Sequence, residues 1–587
     1  MCKLKKIETI LQYVAVITVP VLCFWLLESF MYNPAEFMTR EAWILNIIFY
    51  YAVFAVLYAI TGNISIGLMI ETVLSVVIGI VNYFVTEFRS SPIVPWDILS
   101  LKTAFSVSDN YSFNITGDMI WKIAGAGVII IFLALVYRKS PGSIKVRTAK
   151  RISAAVAGAA LVISLTFAVQ QEAVMEWADL DNTLFTPKVM HREDGLAVMF
   201  MMDMKYMNVS KPSGYSGEQA EKWLSEYEDK DAENVKEDEL PNIIVIMDEC
   251  FSDPLVLAQF TTEEDYMPFV HKLRNGYENT VSGNLHVSVV GGNTANTEFE
   301  FLTGNTMAFL PSGSVPYQQY IKSEIPSMVS WLKSIGYTTN AVHPFYASGW
   351  NRDKVYGYMG FDNTYFKDSF GSDAEIIRKY ISDRSAFEKV YDIQKSCDGP
   401  SFTFLVTMQN HGGFGQSYAG FNPNVIINGT TSRFPKNYLS LMKITDKALE
   451  NFISELSETD EKTVVVFFGD HQPNDIIVNP LLELNKKSCD TLGQNEIYKR
   501  YEVPYIMWAN FDIDEETNLD ISPNYLGALM LNKCKIPASE YQGFLLELRE
   551  KVPVISTQYT VGTDGEEPDK KLLDKYKKLQ YYELFDR

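Results

Sequence analysis

The stretch Gly291-Gly292-Asn293-Thr294-Ala295-Asn296-Thr297-Glu298-Phe299 places a glycine pair just before a hydroxyl residue, at the predicted start of a helix. Glycine lets the backbone turn sharply and approach a ligand, and a helix N-terminus offers unpaired N–H groups to an anion. The stretch therefore predicts that Thr294 can serve as a nucleophile in phosphate chemistry. Taken alone, it fits a helix cap at Asn293 or Thr294 more readily, so the interpretation depends on the rest of the chain.

Four apolar runs beyond residue 240 predict buried parallel strands, and each is followed by polar residues. The runs are 242–247, the one that ends at His343, 404–407 and 464–468. Helical patterns lie between them, at residues 322–335, 373–391 and 437–456. Strands that alternate with helices predict a doubly wound α/β sheet, whose ligands bind beyond the carboxyl ends of the strands.

The polar residues at these strand ends are typical of a metal site. Carboxylates, an Asp-His pair and a hydroxyl suit Mn²⁺, Mg²⁺ or Zn²⁺, and a metal at the Thr294 oxygen would lower the pKa of that hydroxyl. Each residue alone has an ordinary explanation as a strand end, a capped turn or a loop histidine, but together they favour a metal site. The residues of this edge are Glu249, His343, His411, Asp470 and His471.

Three other histidines, His191, His271 and His286, lie in less patterned surroundings, and we predict structural or surface roles for them. The stretch Trp350-Asn351-Arg352-Asp353 follows His343 closely. Arg352 offers a planar fork of donors that suits a phosphate, and Trp350 offers a ring face for glycerol or another headgroup. We therefore predict a substrate site beside the metal site.

The N-terminal part of the chain predicts a membrane domain. Five apolar segments are long enough to cross a bilayer, which takes about 20 apolar residues per helix. The first segment is too long for a cleaved signal peptide, and four more follow it. The predicted spans are residues 9–31, 43–61, 65–85, 119–137 and 152–170.

Basic residues predict the orientation of these spans, because short loops rich in Lys and Arg stay in the cytoplasm. Lys3, Lys5 and Lys6 precede the first span, and the loop between the fourth and fifth spans carries six basic residues between Arg138 and Arg151. Both regions face the cytoplasm if there are five spans. The chain is then a multi-pass protein of the cell membrane with its C-terminal domain outside the cell.

Composition excludes two classes of function. The net charge of the 587-residue chain is −21, which argues against a nucleic-acid partner, and the six scattered cysteines form neither zinc spacing nor a disulfide framework.

We predict four segments: a five-helix transmembrane domain at 1–170, a linker with amphipathic helices at 171–240, a catalytic domain at 241–540, and a C-terminal segment at 541–587 that packs on the catalytic domain.

In these motifs the chain resembles the lipoteichoic acid synthase family, which consists of membrane-anchored phosphoglycerol transferases of the alkaline phosphatase and sulfatase superfamily. The family's metal-binding strand-end Glu, Gly-x-Thr-x-x-x-Glu-Phe stretch and Gly-Asp-His triplet match Glu249, Gly292–Phe299 and Gly469–His471. The resemblance covers nearly the whole length. It implies five membrane helices followed by an extracellular sulfatase-like domain.

The resemblance also implies a mechanism. Glu249, Thr294, Asp470 and His471 would bind the metal, usually manganese. His343, Trp350 and Arg352 would contact the substrate, and His411 would protonate the leaving group or activate the acceptor. Thr294 would take glycerol phosphate from phosphatidylglycerol and pass it to a polyglycerol phosphate or glycolipid acceptor.

Departures from related families leave some alternatives open. Sulfatases carry C/S-x-P-x-R, whereas Ser252-Asp253-Pro254-Leu255-Val256 lacks the arginine and lies beside Glu249, so sulfate ester hydrolysis is rejected. The remaining alternatives are a phosphoethanolamine transferase, a phosphodiester hydrolase that uses water as the acceptor, and a non-catalytic scaffold of the cell envelope.

Overall fold

The computed structural model describes residues 2–89, 92–98, 114–137, 143–181, 187–207, 209–228, 240–311 and 313–587. The side chains of Lys3, Lys5 and Lys6, and all of Arg138 and Lys139, lie outside these described residues. The chain divides into two compact units: an N-terminal unit within Met1–Asp97 and Phe113–Asn208, and a C-terminal unit whose continuous part is Val209–Arg587.

The N-terminal unit is built from helices. Five of them are long and apolar enough to cross a membrane, over Ile7–Glu28, Arg40–Thr61, Ile64–Glu87, Gly117–Leu135 and Ile144–Val169, which confirms the five predicted segments. Its helices are α1 (Cys2–Glu28), α2 (Pro34–Phe37), α3 (Arg40–Thr61), α4 (Ile64–Arg89), α5 (Gly117–Leu135), α6 (Ile144–Val169), α7 (Glu172–Ala178), α8 (Pro187–Asp194) and α9 (Leu196–Asp203).

The last three of these helices lie in the stretch that the sequence analysis assigned to a linker. Met199, Met201 and Met202 on α9 are buried in one apolar cluster with residues of α1 and α3, such as Phe24 and Leu45. The boundary between the compact units consequently falls between Asn208 and Val209, inside the predicted linker. The finer division into four segments stays a prediction.

The C-terminal unit contains a seven-stranded sheet in the order β2-β9-β8-β1-β7-β3-β4. Strands β8, β1, β7, β3 and β4 run parallel, and β9 and β2 continue the sheet in antiparallel pairings. The strands of this sheet are β1 (Asn242–Asp248), β2 (Thr280–His286), β3 (Thr338–Val342), β4 (Asn363–Tyr365), β7 (Ser401–Val406), β8 (Thr463–Gly469) and β9 (Glu502–Ala509). Short pairs are β5 (Ile376–Ile377) with β6 (Tyr380–Ile381) and β10 (Val554–Ile555) with β11 (Thr560–Val561).

The four predicted strands form four of the five parallel strands, whereas the antiparallel edge did not emerge from the sequence. β2 contains Gly283, and β9 contains Pro504, and both residue types weaken a strand pattern. In the structure Gly283 has a packing reason, because a Cβ there would collide with the backbone of Leu519. The sheet is therefore mixed, with a parallel centre.

Both faces of the parallel centre are covered, as the doubly wound prediction requires. Along β1, Ile243, Val245 and Met247 belong to one apolar cluster, while the alternate residues Ile244 and Ile246 belong to another on the opposite face. The helices of this unit are α10 (Gly217–Leu224), α11 (Pro268–Arg274), α12 (Thr294–Thr303), α13 (Pro316–Gln319), α14 (Met328–Ser334), α15 (Arg352–Met359), α16 (Asp383–Lys395), α17 (Arg433–Ser457), α18 (Asp475–Leu482), α19 (Gln494–Lys499), α20 (Pro523–Lys533), α21 (Glu540–Lys551) and α22 (Lys570–Phe585).

The register of the parallel strands aligns their carboxyl ends. Asp248 at the end of β1 lies opposite Gly469 at the end of β8, and Met247 lies opposite Val406 at the end of β7. The polar residues that follow these strands therefore meet at a single edge of the sheet.

Candidate metal centre and active site

Thr294 is the first residue of α12 and follows a strained turn. Gly291 and Asn293 have φ values of 72° and 64°, in the left-handed region that glycine and asparagine tolerate best. The hydroxyl of Thr297, one turn along the helix, donates to the backbone carbonyl of Asp470 at 2.7 Å. The turn and this bond fix the start of α12 against the carboxyl end of β8.

Glu249, Asp470 and His471 each direct one possible ligand atom into a common space, where these atoms lie within 4.8 Å of one another. All three side chains are buried. Thr294 is also buried, and its hydroxyl donates a hydrogen bond to Glu249 Oε2 at 3.3 Å. The structure thus brings together the four residues that the sequence analysis assigned to the metal.

The tautomer of His471 suits a metal ligand. Its Nδ1 lies 3.0 Å from the carbonyl oxygen of Gln472, and because a carbonyl can only accept, Nδ1 carries the proton. The lone pair on Nε2 then points toward Asp470 Oδ2 at 3.2 Å and Glu249 Oε1 at 3.8 Å. A backbone acceptor that orients a histidine ligand in this way is common around protein-bound metals.

Two atoms of this centre have no hydrogen-bond partner although both are buried: Asp470 Oδ2 and His471 Nε2. Burial raises the pKa of Glu249 well above its ordinary value, and the charge of Asp470 adds to that shift. Burial also raises the pKa of Asp470. A divalent cation would satisfy the two orphaned atoms and offset the negative charge, so the residues present fit a metal ion.

Backbone contacts hold the ligands in place. The amide of Cys250 donates to Asp470 Oδ1 at 2.7 Å, and the amide of Glu249 donates to the Thr407 hydroxyl at 3.0 Å. Gly469 lies directly against the carbonyl oxygen of Phe251, where a Cβ would collide with that oxygen. Glycine is therefore required at the residue before the Asp-His pair.

Arg352 does not present the free fork of donors that its position in the sequence suggested. Its Nε lies 3.1 and 3.2 Å from the two carboxylate oxygens of Glu298, and its Nη2 also donates to Glu298. The hydroxyl of Tyr356 donates to the same carboxylate at 2.8 Å. Buried Glu298 thus engages two of the three guanidinium nitrogens, because an unpaired buried charge is costly.

The third nitrogen of Arg352, Nη1, lies 3.2 Å from Nε2 of His343. His343 Nδ1 lies 3.0 Å from the carbonyl oxygen of Val406 and so carries the proton, which leaves Nε2 as the acceptor. Burial and the charge of Arg352 hold the pKa of His343 well below its ordinary value. His343 is therefore a neutral histidine in contact with a permanent cation.

Trp350 lies at the turn that begins α15. Trp350 and Asn351 have φ values of 55° and 58°, and the indole is half-buried against the apolar core. The part of the ring that stays exposed is the surface available for the substrate role that the sequence analysis predicted.

His411 lies in the loop after β7, against the β5–β6 hairpin. Tyr380 OH is 3.2 Å from His411 Nδ1, and Arg378 donates to the carbonyl oxygens of Gln409 at 2.6 Å and Gly412 at 3.1 Å. Burial and the charge of Arg378 lower the pKa of His411 to about 3. The sequence analysis missed Arg378 and Tyr380, and it quoted Glu298 only as part of a motif.

A comparison with protein families matches the part of the chain that contains this site. A profile of the sulfatase family matches residues 241–532. The chain is 29% identical over 384 residues to a putative cyclic beta-1,2-glucan modification protein of Rhizobium meliloti, a match that covers 64% of this chain and 58% of that protein. It is 28% identical over 236 residues to lipoteichoic acid synthase 1 of Bacillus subtilis, over 39% of this chain and 36% of that protein. The matches thus span less than two thirds of these relatives.

Among solved structures, the fold is similar to that of the Streptococcus pyogenes phosphoglycerol transferase GacH in complex with sn-glycerol-1-phosphate. The TM-score is 0.52 at 24% sequence identity, and the similarity covers 65% of this chain and 96% of that one. The likeness shows that the C-terminal unit has the same fold.

Proposed function

We propose that the chain, whose residues 241–532 match the sulfatase family, is a membrane-bound phosphoglycerol transferase. It moves glycerol phosphate from phosphatidylglycerol to a hydroxyl of a polyglycerol phosphate or glycolipid acceptor during synthesis of the cell envelope. The observation that carries the proposal is the Thr294 hydroxyl 3.3 Å from Glu249 Oε2, beside two orphaned atoms that suit a metal.

The relatives support the choice of reaction. One is named a lipoteichoic acid synthase, and the structural neighbour is a phosphoglycerol transferase that was solved with sn-glycerol-1-phosphate. The five membrane-capable helices support a donor that resides in a bilayer. With the C-terminal unit on the outer face of the membrane, the phospholipid donor and the diacylglycerol product both stay in the same leaflet.

In the first displacement, the Thr294 oxygen attacks the headgroup phosphorus, and the bond from phosphorus to diacylglycerol breaks. Mn²⁺ bound by Glu249, Thr294, Asp470 and His471, or Mg²⁺ or Zn²⁺ in its place, would lower the pKa of the Thr294 hydroxyl and neutralise phosphate charge. The proton that the Thr294 hydroxyl gives up goes to the leaving oxygen, and neutral His411, which lies in the loop beside the site, relays it. The product is a phosphoglycerol–threonine intermediate.

In the second displacement, the acceptor hydroxyl attacks the same phosphorus and the threonine oxygen leaves. Arg352 Nη1 donates to His343 Nε2 at 3.2 Å, and its second N–H orients the phosphate oxygens in both steps, while His343 holds the guanidinium in place. The exposed part of Trp350 contacts the glycerol. Glu298 does not touch substrate in this scheme, since its carboxylate is paired with Arg352 and Tyr356.

The test is the intact mass of the full-length chain in detergent after incubation with Mn²⁺ and phosphatidylglycerol. We expect a phosphoglycerol adduct on the wild type and none on Thr294→Ala. Thr303→Ala is the matched control, because Thr303 lies on the same helix but its hydroxyl donates to the Phe299 carbonyl. This variant keeps the adduct if Thr294 is the nucleophile.

The same experiment separates the alternatives. An adduct formed only with phosphatidylethanolamine would identify a phosphoethanolamine transferase. An adduct that decays to free glycerol phosphate at the same rate with and without an acceptor would identify a hydrolase. No adduct with either lipid after acid trapping, and no bound metal, would identify a scaffold.

A further inference from the structure

The outer edge of the candidate active site carries three exposed side chains, Tyr346, Lys367 and Ile376, and two half-buried ones, Phe345 and Lys379. We call it the lip, and it consists of Phe345, Tyr346, Lys367, Ile376 and Lys379. Tyr346 is 48% exposed and Ile376 is 56% exposed, although both are large apolar residues. Side chains of this kind in such numbers beside a site are typical of a contact surface.

Ring contacts join the lip to the two histidines of the site. The ring of Phe345 lies 6.4 Å from that of His343 and 4.6 Å from that of Tyr346. It also lies 6.1 Å from Tyr380, whose ring is 5.6 Å from His411. A ligand on the lip is therefore next to the groups that would handle its phosphate.

The lip also carries positive charge. Lys367 Nζ lies 5.0 Å from the centre of the Tyr346 ring, and Lys379 Nζ lies 5.5 Å from that of Tyr380. Glu375, which precedes the hairpin, is paired with Arg384 at 3.1 Å. Two lysines are thus held beside aromatic rings at the rim of the site, in a chain with a net charge of −21.

The hairpin that carries two of the five lip residues, Ile376 and Lys379, contacts the site. Arg378 is half-buried, and its guanidinium lies 5.3 Å from the Phe414 ring while it donates to the carbonyls of Gln409 and Gly412. The hairpin and the His411 loop are therefore joined by direct contacts, which keep Ile376 and Lys379 next to the site.

We propose that the lip docks on a lipid surface with anionic headgroups. The inference rests on the proposed function, because a phospholipid phosphate lies at the bilayer surface and Thr294 is buried at the carboxyl edge of the sheet. Tyrosine and lysine are the side chains that favour headgroup depth, with apolar groups below them. Lys367 and Lys379 attract the anionic surface, Tyr346 lies at headgroup depth, and Ile376 inserts beneath it.

The test compares two donors with the full-length chain in lipid nanodiscs. One donor is long-chain phosphatidylglycerol within the disc, and the other is short-chain phosphatidylglycerol dissolved as monomers over phosphatidylcholine discs. We expect Lys367→Ala/Lys379→Ala to lower turnover of the bilayer donor more than tenfold, at about fivefold per lysine. Turnover of the dissolved donor stays within twofold of the wild type.

Lys272→Ala is the matched control. Lys272 also lies over a tyrosine ring, 4.7 Å from Tyr277, but on α11 beside the amino-terminal edge of the parallel strands. We expect Lys272→Ala to leave turnover of both the bilayer donor and the dissolved donor unchanged. Unchanged turnover of the bilayer donor in the double variant overturns the docking proposal, and so does an equal loss with both donors, which would place the lysines in the substrate site itself.

A second readout does not depend on activity. A polarity-sensitive fluorophore on Ile376→Cys is expected to shift to shorter wavelength in discs that contain phosphatidylglycerol, relative to phosphatidylcholine discs. The same spectrum in both discs overturns the docking proposal. Wild-type chain that turns over neither donor defeats the proposed function, whereas the fluorophore still reports whether the lip meets the lipid.

Discussion

Two groups in the C-terminal unit contain one histidine and two carboxylates each, yet they behave in opposite ways. The first is the metal centre of Glu249, Asp470 and His471, all buried. The second is His271 with Asp253 and Asp265, where the imidazole is 27% exposed. We call the second group the surface triad.

The difference lies in what each ring nitrogen touches. In the surface triad, His271 Nδ1 lies 2.9 Å from Asp265 and Nε2 lies 3.3 Å from Asp253, so both nitrogens meet carboxylates. These bonds raise the pKa of His271 to about 9, and the imidazolium is the cation of the group. In the metal centre, the Gln472 carbonyl fixes the proton on one nitrogen, and the other keeps its lone pair.

The comparison teaches that residue types do not define a metal site. In the surface triad, the proton on His271 offsets one of the two carboxylate charges and leaves no imidazole lone pair for a metal. The metal centre keeps one unpaired buried atom on Asp470 and one on His471, and its two carboxylates require the positive charge of a bound cation. Within the described residues, the metal centre is the only such group of His, Cys, Asp or Glu whose ligand atoms converge.

We expect the largest effect on metal content and turnover when one carboxylate charge is removed from the metal centre. The same change in the surface triad is the comparison. Asp470→Asn should abolish bound metal and lower transferase turnover about 10³-fold, since a metal supplies several kcal/mol of transition-state stabilisation. Asp253→Asn should keep the wild-type metal content and turnover. Metal analysis of the purified full-length chain, followed by a turnover assay, measures both. Equal metal loss in the two variants would show that the contrast between the groups is wrong.

Sequence reasoning reached the metal centre because its ligands follow strands. Glu249 and Asp470 each come directly after an apolar run, and parallel strands bring their carboxyl ends together at one edge. The same reasoning could not tell His271 from His471 by composition. It set His271 aside only because no strand delivers it, and the surface triad forms on a helix and the loop before it.

The pair of Arg352 and Glu298 is a third way to handle buried charge, because here two side chains neutralise each other. Glu298→Gln should leave the Arg352 guanidinium without its counter-ion and lower the free energy of unfolding by about 3 kcal/mol. Metal content should stay as in the wild type, unlike in Asp470→Asn. Denaturant unfolding and metal analysis of the full-length chain in detergent test this.

Tyr317→Phe is the matched control, since it removes a long 3.4 Å hydrogen bond to the same carboxylate and a 3.9 Å bond to the Met359 sulfur. It should cost less than about 1 kcal/mol. Metal loss in Glu298→Gln would mean that the Arg352–Glu298 pair and the metal centre act as one electrostatic unit. The distinction between the two groups would then be wrong.

The Glu298 pair also shows where sequence reasoning stops. Arg352 and Glu298 are 54 positions apart in the chain, and the bond between them depends on how α15 packs against α12. The Arg378 contacts to the His411 loop have the same origin, because β5 and β6 are two residues each and carry no periodic signal. Local patterns predict strands and their ends, whereas pairings across the core follow from tertiary packing.

The smallest expected effect concerns the surface triad and its dependence on pH. The folded pKa of His271, about 9, exceeds its ordinary value of 6.5, so the proton bound in the folded state stabilises it. This contribution is complete below pH 6.5 and is lost as the pH rises toward 9. Because the imidazole is partly exposed, we expect it to contribute about 1 kcal/mol to the free energy of unfolding.

The thermal unfolding temperatures of the wild type and His271→Gln should differ most at pH 6 and converge by pH 10. A difference that grows with pH would mean that His271 is neutral in the folded protein, and the surface triad would then lack the internal cation that distinguishes it from the metal centre.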